Sequence, residues 1–327
     1  MARVLHKPVF SPPSASDERI TRVCRLGALA FGVWALLVDP LGADAAVAGL
    51  WVACVRSGVF WLEGFEPLFA SACFFVWINA WRLVDAWCSR DSSWRVGEQA
   101  GRAPPRSKYV FWGGVRIGLA GSASYGVAAL LAYLAPLLLF HAVWPRARAS
   151  KMLTCAAAPS CCELLRQLLA SLLVYDGLHW PLHLAQHTRA ASPGWRLHRL
   201  LANSHATHHS GVRPLRAGET VRHSLLDGAL QVACNVAALN LVGSHPLARL
   251  LHNAVVTALL TEAHCGFDAP WMAHRVLPWG WLGGSARHEA HHRDPAGTAH
   301  HQQLFTYLDE ARRAVLSELE RRAVAAR

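Results

Sequence analysis

The chain has 327 residues, of which 53% are hydrophobic and only 16% are charged, whereas about a quarter of the residues in a typical soluble domain are charged. Fourteen tryptophans add side chains that favour membrane–water interfaces. This composition excludes an ordinary soluble globule, and we attribute the net charge of +11 to basic loops beside a membrane, since no compact nucleic-acid motif accompanies it.

The first half of the chain contains predicted membrane segments. Residues 1–23 are polar and contain three prolines, which predicts a flexible tail. A helix needs about 20 apolar residues to cross a bilayer, and residues 117–144, which lack Asp, Glu, Lys and Arg, are the clearest candidate. Three other stretches are short or interrupted by charges, and we expect at least one of them to span: 26–38, 45–62 and 66–81.

Two further apolar stretches, 225–243 and 247–261, meet at the turn residues Gly243 to Pro246. We expect them to form a hairpin that enters the membrane and returns. Because an even number of crossings ends on the starting side, the segments before and after the hairpin can meet. From residue 303 onward, helical periodicity and acid–base spacings predict a solvated C-terminal helix.

Histidines are concentrated between residues 179 and 301, which contain 17 of the 19. One cluster repeats every four residues, which places its members on one face of a helix. The pattern H-x-x-H-H then occurs twice, on either side of the hairpin, and each copy can aim several imidazoles at one point. The three clusters comprise His179, His183, His187, His205, His208, His209, His288, His291 and His292.

Nine imidazoles buried together without partners would be costly, which favours metal binding. A structural zinc site takes four ligands, typically with cysteine, and would leave most of these histidines unused. The set suits two borderline metal ions, with iron and zinc both possible. Glu262 and Glu289 are near but do not form the Glu-x-x-His repeats of soluble di-iron bundles. The other histidines are expected to be ordinary surface or core residues: His6, His141, His198, His223, His245, His252, His274, His300 and His301.

The three clusters resemble the histidine boxes of the membrane fatty acid hydroxylase/sterol desaturase superfamily. The H-x3-H box is similar to residues 183–187, and the two H-x-x-H-H boxes are similar to residues 205–209 and 288–292. The motifs are closest to sterol C4-methyl oxidase and cholesterol 25-hydroxylase-like members. That resemblance implies His179 and His264 as further ligands, with Asp176, Asp268 and Asp309 in supporting positions.

The sequence departs from the family pattern at two places. Leu184 stands where many relatives have arginine, and RDPAGTAHH (293–301) replaces an asparagine–aromatic–glycine stretch. These departures bear on substrate and reaction outcome more than on metal binding.

The resemblance implies an all-α integral membrane protein, in which a transmembrane helix bundle carries a cytosolic helical cap with a histidine-rich dimetal site. Residues 24–150 would form N-terminal membrane and interfacial helices, 151–310 the hydroxylase-like domain, and 311–327 a charged helix. The implied activity is that of a di-iron oxygenase of the endoplasmic reticulum, with no catalytic residue beyond the metal ligands.

Such an enzyme uses O2 to hydroxylate or desaturate a lipid. Asp176, His179 and the Gly266–Asp268 segment favour a sterol, and a fatty acyl or ceramide substrate is the alternative. A separate donor, such as cytochrome b5 and its reductase, would supply electrons.

Two alternatives come from other classes of protein. A metal-ion transporter holds its sites near the bilayer midplane, whereas these histidines flank the apolar segments. A membrane scaffold clamped by metal is the other alternative.

Overall fold

The computed structural model describes residues 13–62, 64–88, 92–96, 157–187, 196–210, 214–277, 280–294 and 300–325. Within these ranges the regular structure is helical, and the extended backbone forms only two isolated bridges, Arg95 with Phe267 and Leu282 with Phe305. The predicted all-α class is confirmed. The predicted span 117–144 lies outside the described residues.

Ten α-helices are described, with short 3-10 turns at Gly58–Trp61 and Ala217–Val221. In chain order they are α1 (Ala15–Val33, continued by a π turn, Trp34–Val38), α2 (Pro40–Arg56), α3 (Phe65–Trp87), α4 (Cys161–His187), α5 (Arg196–His209), α6 (Leu225–Leu241), α7 (Pro246–His264), α8 (Ala273–Val276), α9 (Gly284–Arg293) and α10 (Tyr307–Ala325).

Helix α1 begins at Ala15, inside the segment predicted as a flexible tail through residue 23. Ser14 and Asp17 form a capping box that satisfies free backbone N–H groups at the helix start. The Thr21 hydroxyl also donates to the carbonyl of Pro270, which fixes this turn against a distant part of the chain. The tail prediction is therefore corrected from Ala15 onward.

Among the described residues, two helices are long and apolar enough to cross a membrane: α1 with its π turn (Ala15–Val38), and α3. Both leave large apolar side chains outside the protein core, such as Leu29 (63% exposed) and Val76 (64% exposed). That exposure fits contact with lipid better than the interior of a soluble bundle. The predicted stretches 26–38 and 66–81 lie in these two helices, while 45–62 falls on the shorter α2 and the turn after it.

Helices α6 and α7 form a hairpin at the predicted residues, and its entry into a membrane stays a prediction. They are joined by a turn in which Gly243 adopts a φ of 65°, a conformation that glycine allows without strain. The two helices are tied by a hydrogen bond from Asn235 to Asn253. As expected, the hairpin returns the chain to the side from which it left, so the histidines before and after it come together.

The bundle has two ends with different polar groups. At the opposite end from the histidines, the N-terminal turns of α3 and α7 are joined by an ion pair between Glu66 and Arg249, 2.8 Å apart. The histidine end is formed by the C-terminal turns of α4 and α7 with α5 and α9. Between the two ends lies an apolar core that includes Phe74, Leu172 and Leu260.

Helix α10 extends from the histidine end, and its apolar residues Val315 and Leu319 are more than half exposed. A C-terminal helix is present as predicted, begins at Tyr307, and has mostly exposed side chains from residue 311 onward.

Candidate metal centre

Nine histidines lie in two groups at the histidine end of the bundle. Within each group the ligand nitrogens all lie within 4.8 Å of one another. The five-histidine group consists of His183, His187, His205, His209 and His291. The four-histidine group consists of His208, His264, His288 and His292.

The two H-x-x-H-H boxes divide between the groups in opposite ways. Successive residues on a helix point about 100° apart, so the last two histidines of each box diverge. In α5, His205 and His209 enter the five-histidine group, while His208 enters the other. In α9, His288 and His292 enter the four-histidine group, while His291 enters the five-histidine group. Each box thus contributes histidines to both groups.

Hydrogen bonds in the five-histidine group determine which ring nitrogens carry protons. The Nδ1 of His183 lies 2.6 Å from the carbonyl oxygen of His301, and the Nδ1 of His205 lies 3.1 Å from a carboxylate oxygen of Asp227. Both oxygens can only accept, so both Nδ1 atoms donate. A neutral imidazole has a single N–H, so in the neutral form of both rings the two Nε2 atoms carry lone pairs. They face each other at 3.0 Å.

The four-histidine group shows the same arrangement. His208 donates from Nδ1 to the carbonyl of Arg222 at 3.1 Å, and His264 donates from Nδ1 to the carbonyl of Leu260 at 2.8 Å. Their Nε2 lone pairs face each other at 3.3 Å. Burial and the neighbouring histidines hold the pKa of His208 well below its usual value, so a proton does not bridge the pair at neutral pH.

Facing lone pairs repel unless a cation lies between them, so these residues fit metal ions. A metal–nitrogen bond of about 2.0–2.1 Å places neighbouring ligand nitrogens roughly 2.9–3.4 Å apart. The Nε2 atoms of His288 and His264 are 2.8 Å apart, those of His292 and His288 are 3.1 Å apart, and those of His187 and His183 are 3.2 Å apart. Donor type, tautomer and spacing all suit ligation.

The predicted supporting residues Asp176 and Asp309 act on the loop that follows His301. Asp176 accepts hydrogen bonds from the backbone of residues 303–305 and from the Gln302 side chain. Asp309 accepts from Trp180 and from the backbone of Gln302. Because the carbonyl of His301 orients His183, these carboxylates support a ligand through the backbone.

Asp268, the third predicted supporting residue, lies in a different cluster. It binds Arg275 through both carboxylate oxygens and accepts from His274 at 2.8 Å. Burial acts to raise the pKa of Asp268, but these hydrogen bonds hold it at about 2. The described side-chain partners of Asp268 are these two residues and none of the nine histidines. These contacts therefore do not support the role at the histidine centre that the resemblance implied for Asp268.

The structure brings nine of the ten predicted ligands into the two groups. The tenth, His179, is buried beside His183, with ring centroids 5.3 Å apart, but belongs to neither group. That all ten bind metal remains a prediction. The nearby acids point elsewhere: Glu289 accepts from the backbone of Leu215 and from Arg293, and Glu262 accepts from the backbone of Ala273.

Sequence reasoning missed three residues at this centre. Asp227 accepts from His205, His223 stacks on His208 with ring centroids 4.7 Å apart, and the His301 carbonyl orients His183. One signal was available: Asp227 is the only charged residue in the stretch 225–243, and a charged residue in a predicted membrane segment is a functional candidate. His223 and the His301 backbone carried no comparable pattern.

Residues 168–313 match the fatty acid hydroxylase family model. The chain is 32% identical to cholesterol 25-hydroxylase of Rattus norvegicus over half of each chain. It is 31% identical to the Homo sapiens enzyme of that name over 48% of this chain and 53% of the relative. Methylsterol monooxygenase 2-2 of Arabidopsis thaliana is 28% identical over 53% and 60%, respectively. No solved structure matches the chain significantly.

Residues 168–313 are therefore similar to the fatty acid hydroxylase family, in agreement with the resemblance of the histidine boxes. The similar curated proteins are named as cholesterol 25-hydroxylases or a methylsterol monooxygenase. The chain spans about half the length of the curated relatives that it matches.

Proposed function

We propose that this chain is a membrane-bound, iron-dependent monooxygenase that hydroxylates a C–H bond of a lipid, with a sterol as the substrate class. The observation that carries the proposal is the facing of Nε2 lone pairs in both groups, at 3.0 Å between His183 and His205 and at 3.3 Å between His208 and His264. The names of the similar proteins support hydroxylation and favour a sterol. A fatty acyl or ceramide substrate is the alternative within the superfamily.

The nine histidines would hold two iron ions, which supply the O2 activation needed to oxidise an unreactive C–H bond. The chain's own residues keep the imidazoles neutral and oriented, through Nδ1–H bonds to carbonyl and carboxylate oxygens. Such partners fix the tautomer and raise the basicity of the ligand nitrogen.

Burial of the centre limits the access of water. Seven of the nine histidines are buried, while His187 and His209 of the five-histidine group are partly exposed. The substrate and O2 would reach the centre from the side marked by these two residues. The exposed apolar faces of α1 and α3 support delivery of the lipid from the bilayer.

We place the protein in the endoplasmic reticulum, with the histidine end facing the cytosol. The reaction consumes electrons, and we propose a separate donor such as cytochrome b5 with its reductase.

The location of the histidines weighs against a transporter. Both groups lie at one end of the bundle, at the C-terminal turns of α4 and α7, rather than midway along the helices. A transporter site is expected near the midplane. A membrane scaffold clamped by metal would have the same geometry. Only a measurement of lipid oxidation distinguishes it from the oxygenase.

The test is expression in a host that lacks its own sterol C4-methyl oxidase, followed by sterol, fatty acid and sphingolipid profiling. We expect an oxidised sterol that is absent from cells expressing His264→Ala at equal membrane levels. An oxidised fatty acyl chain or ceramide instead would change the substrate class. Metal-loaded protein that yields no oxidised lipid under electron supply would contradict the oxygenase and favour the scaffold, and metal flux in vesicles would favour the transporter.

A further inference from the structure

Asp227, in the first turn of α6, lies at the junction of the two histidine groups and is only 3% exposed. Its Oδ1 accepts a hydrogen bond from Gln186 at 2.8 Å. Its Oδ2 accepts from the Nδ1 of His205 at 3.1 Å and from the Nδ1 of His223 at 3.0 Å. One buried carboxylate thus holds a member of the five-histidine group and a second histidine that belongs to neither group.

His223 carries this contact to the four-histidine group. Its ring lies nearly parallel to the ring of His208, with centroids 4.7 Å apart and planes inclined by 11°. The preceding residue, Arg222, accepts the Nδ1–H of His208 through its carbonyl. The Arg222 carbonyl therefore fixes the direction in which the His208 Nδ1–H points, and the His223 ring fixes the plane of the His208 ring. Asp227 in turn holds His223 by its hydrogen bond.

The carboxylate is not needed to begin α6. The side chain of Ser224 caps this helix by accepting from the backbone N–H of Asp227. A buried carboxylate is costly without strong partners, and the side-chain partners that Asp227 has are Gln186 and the two histidines. Its contacts point towards the metal centre rather than towards helix capping.

We propose that Asp227 is a positioning residue that couples the two metal positions, orienting His205 directly and His208 through His223. The proposal rests on the metal centre described under the proposed function. A carboxylate behind a ligand histidine fixes its tautomer and orientation, and loss of such a partner typically lowers metal affinity about 10–100-fold. Here one carboxylate orients histidines of both groups, so we expect the metal affinities of the two groups to change together.

The test compares Asp227→Asn with the full-length wild type, purified in detergent. Each position is followed separately: a His291→Ala background retains the four-histidine group, and a His264→Ala background retains the five-histidine group. Fe2+ is titrated into the metal-free protein without oxygen, and bound metal is measured by mass spectrometry. We expect Asp227→Asn to weaken Fe2+ binding about 10–100-fold in both backgrounds, while the melting temperature of the metal-free protein stays within a few degrees.

Asp268→Asn is the matched control. It alters another largely buried aspartate with two side-chain partners, His274 and Arg275, neither of which belongs to the nine histidines. We expect its Fe2+ affinity to remain within about threefold of wild type in both backgrounds. Equal losses in Asp227→Asn and Asp268→Asn would overturn the proposal, since they would indicate a general effect of removing a buried charge.

Two substitutions of His223 test the coupling even if Asp227→Asn folds poorly. His223→Phe keeps a flat ring against His208, whereas His223→Ala removes it. We expect His223→Ala to weaken Fe2+ binding by the four-histidine group at least threefold more than His223→Phe does. Equal effects of the two variants, or an Asp227→Asn effect confined to the five-histidine group, would refute the coupling.

The outcomes for the two proposals are distinct. Wild type that binds two Fe2+ ions but oxidises no lipid contradicts only the proposed function. Wild-type Fe2+ affinity in Asp227→Asn contradicts only the coupling.

Discussion

Buried histidines occur in two settings in this protein, and their hydrogen bonds distinguish them. His252 lies on α7, faces α4 and α6, and is fully buried. Its Nε2 donates to the side-chain oxygen of Asn235 at 2.7 Å, and its Nδ1 accepts from the Ser171 hydroxyl at 2.7 Å. Both ring nitrogens have complementary partners, so this histidine is complete without an ion.

At the histidine end the pattern is reversed. His183, His205, His208 and His264 all donate from Nδ1 to fixed acceptors, so their Nε2 lone pairs are turned towards one another. Burial is common to both settings, and only the direction of the N–H groups differs. Burial of a histidine is therefore weak evidence for a metal site, whereas opposed lone pairs are strong evidence.

The largest effect is expected from removing a ligand. His208→Ala and His291→Ala should each lose metal from one position and lower lipid oxidation by more than the 10–100-fold typical of a supporting residue. Metal content of purified protein and oxidised lipid in cells are the measurements, with membrane insertion unchanged. Either variant retaining product at the wild-type level would show that the ligand assignment is wrong.

At the opposite end of the bundle, we expect a loss of stability without a loss of metal. Arg249→Met leaves the buried carboxylate of Glu66 without its cation, which typically costs about 3–5 kcal/mol. Thermal unfolding in detergent should show the decrease, with metal content unchanged. The double variant Glu66→Gln/Arg249→Met removes both charges and should recover most of the stability. No recovery would mean that the ion pair is not the source of the effect.

The stability of the metal-free protein should fall at acid pH because of the histidine end. Burial and neighbouring histidines hold the pKa values of His208, His288 and His292 well below the ordinary value near 6.5. In the unfolded chain these residues gain protons below pH 6.5, while in the folded chain they stay neutral. Each therefore lowers the free energy of unfolding by about 1.4 kcal/mol per pH unit over that window.

The measurement is the melting temperature between pH 7.5 and pH 5 with and without bound metal. The metal-loaded protein should resist the fall until the metal dissociates. A metal-free protein whose melting temperature is constant from pH 7 to pH 5 would contradict these pKa directions.

Much of the centre was predictable because helical spacing fixes it. The H-x-x-H-H boxes place their rings on one side of a short helix, and the hairpin of α6 and α7 returns the chain to the starting side. The helical spacing of the histidines and the lengths of the two hairpin helices are local features, which can be read from a single sequence. Eight of the nine histidines in the spaced clusters accordingly lie in the two groups, and the remaining member, His264, was implied by the resemblance alone.

The remainder depends on contacts between distant segments. His301 orients His183 through its backbone carbonyl, which a sequence cannot show. Asp268 was assigned to the centre by resemblance, yet Arg275 and His274 bind it. Helical geometry separates the last two histidines of each box, but which group each of them joins follows from how α5 and α9 pack. Two metal positions could therefore be inferred from the number of ligands, but their members could not.

The smallest effect expected here is that of His252→Phe, which tests whether a buried histidine matters without metal. The ring keeps its volume, but Asn235 and Ser171 lose their partner, which costs about 1–3 kcal/mol of stability. Asn235 still donates to Asn253, and the Ser171 hydroxyl, freed from His252, can turn its proton to the Leu168 carbonyl at 2.9 Å, so the loss should lie near the lower limit. Chemical denaturation measures it, and two metal ions should remain bound per chain. Loss of one ion in His252→Phe would place this histidine in the metal centre and remove the contrast between the two settings.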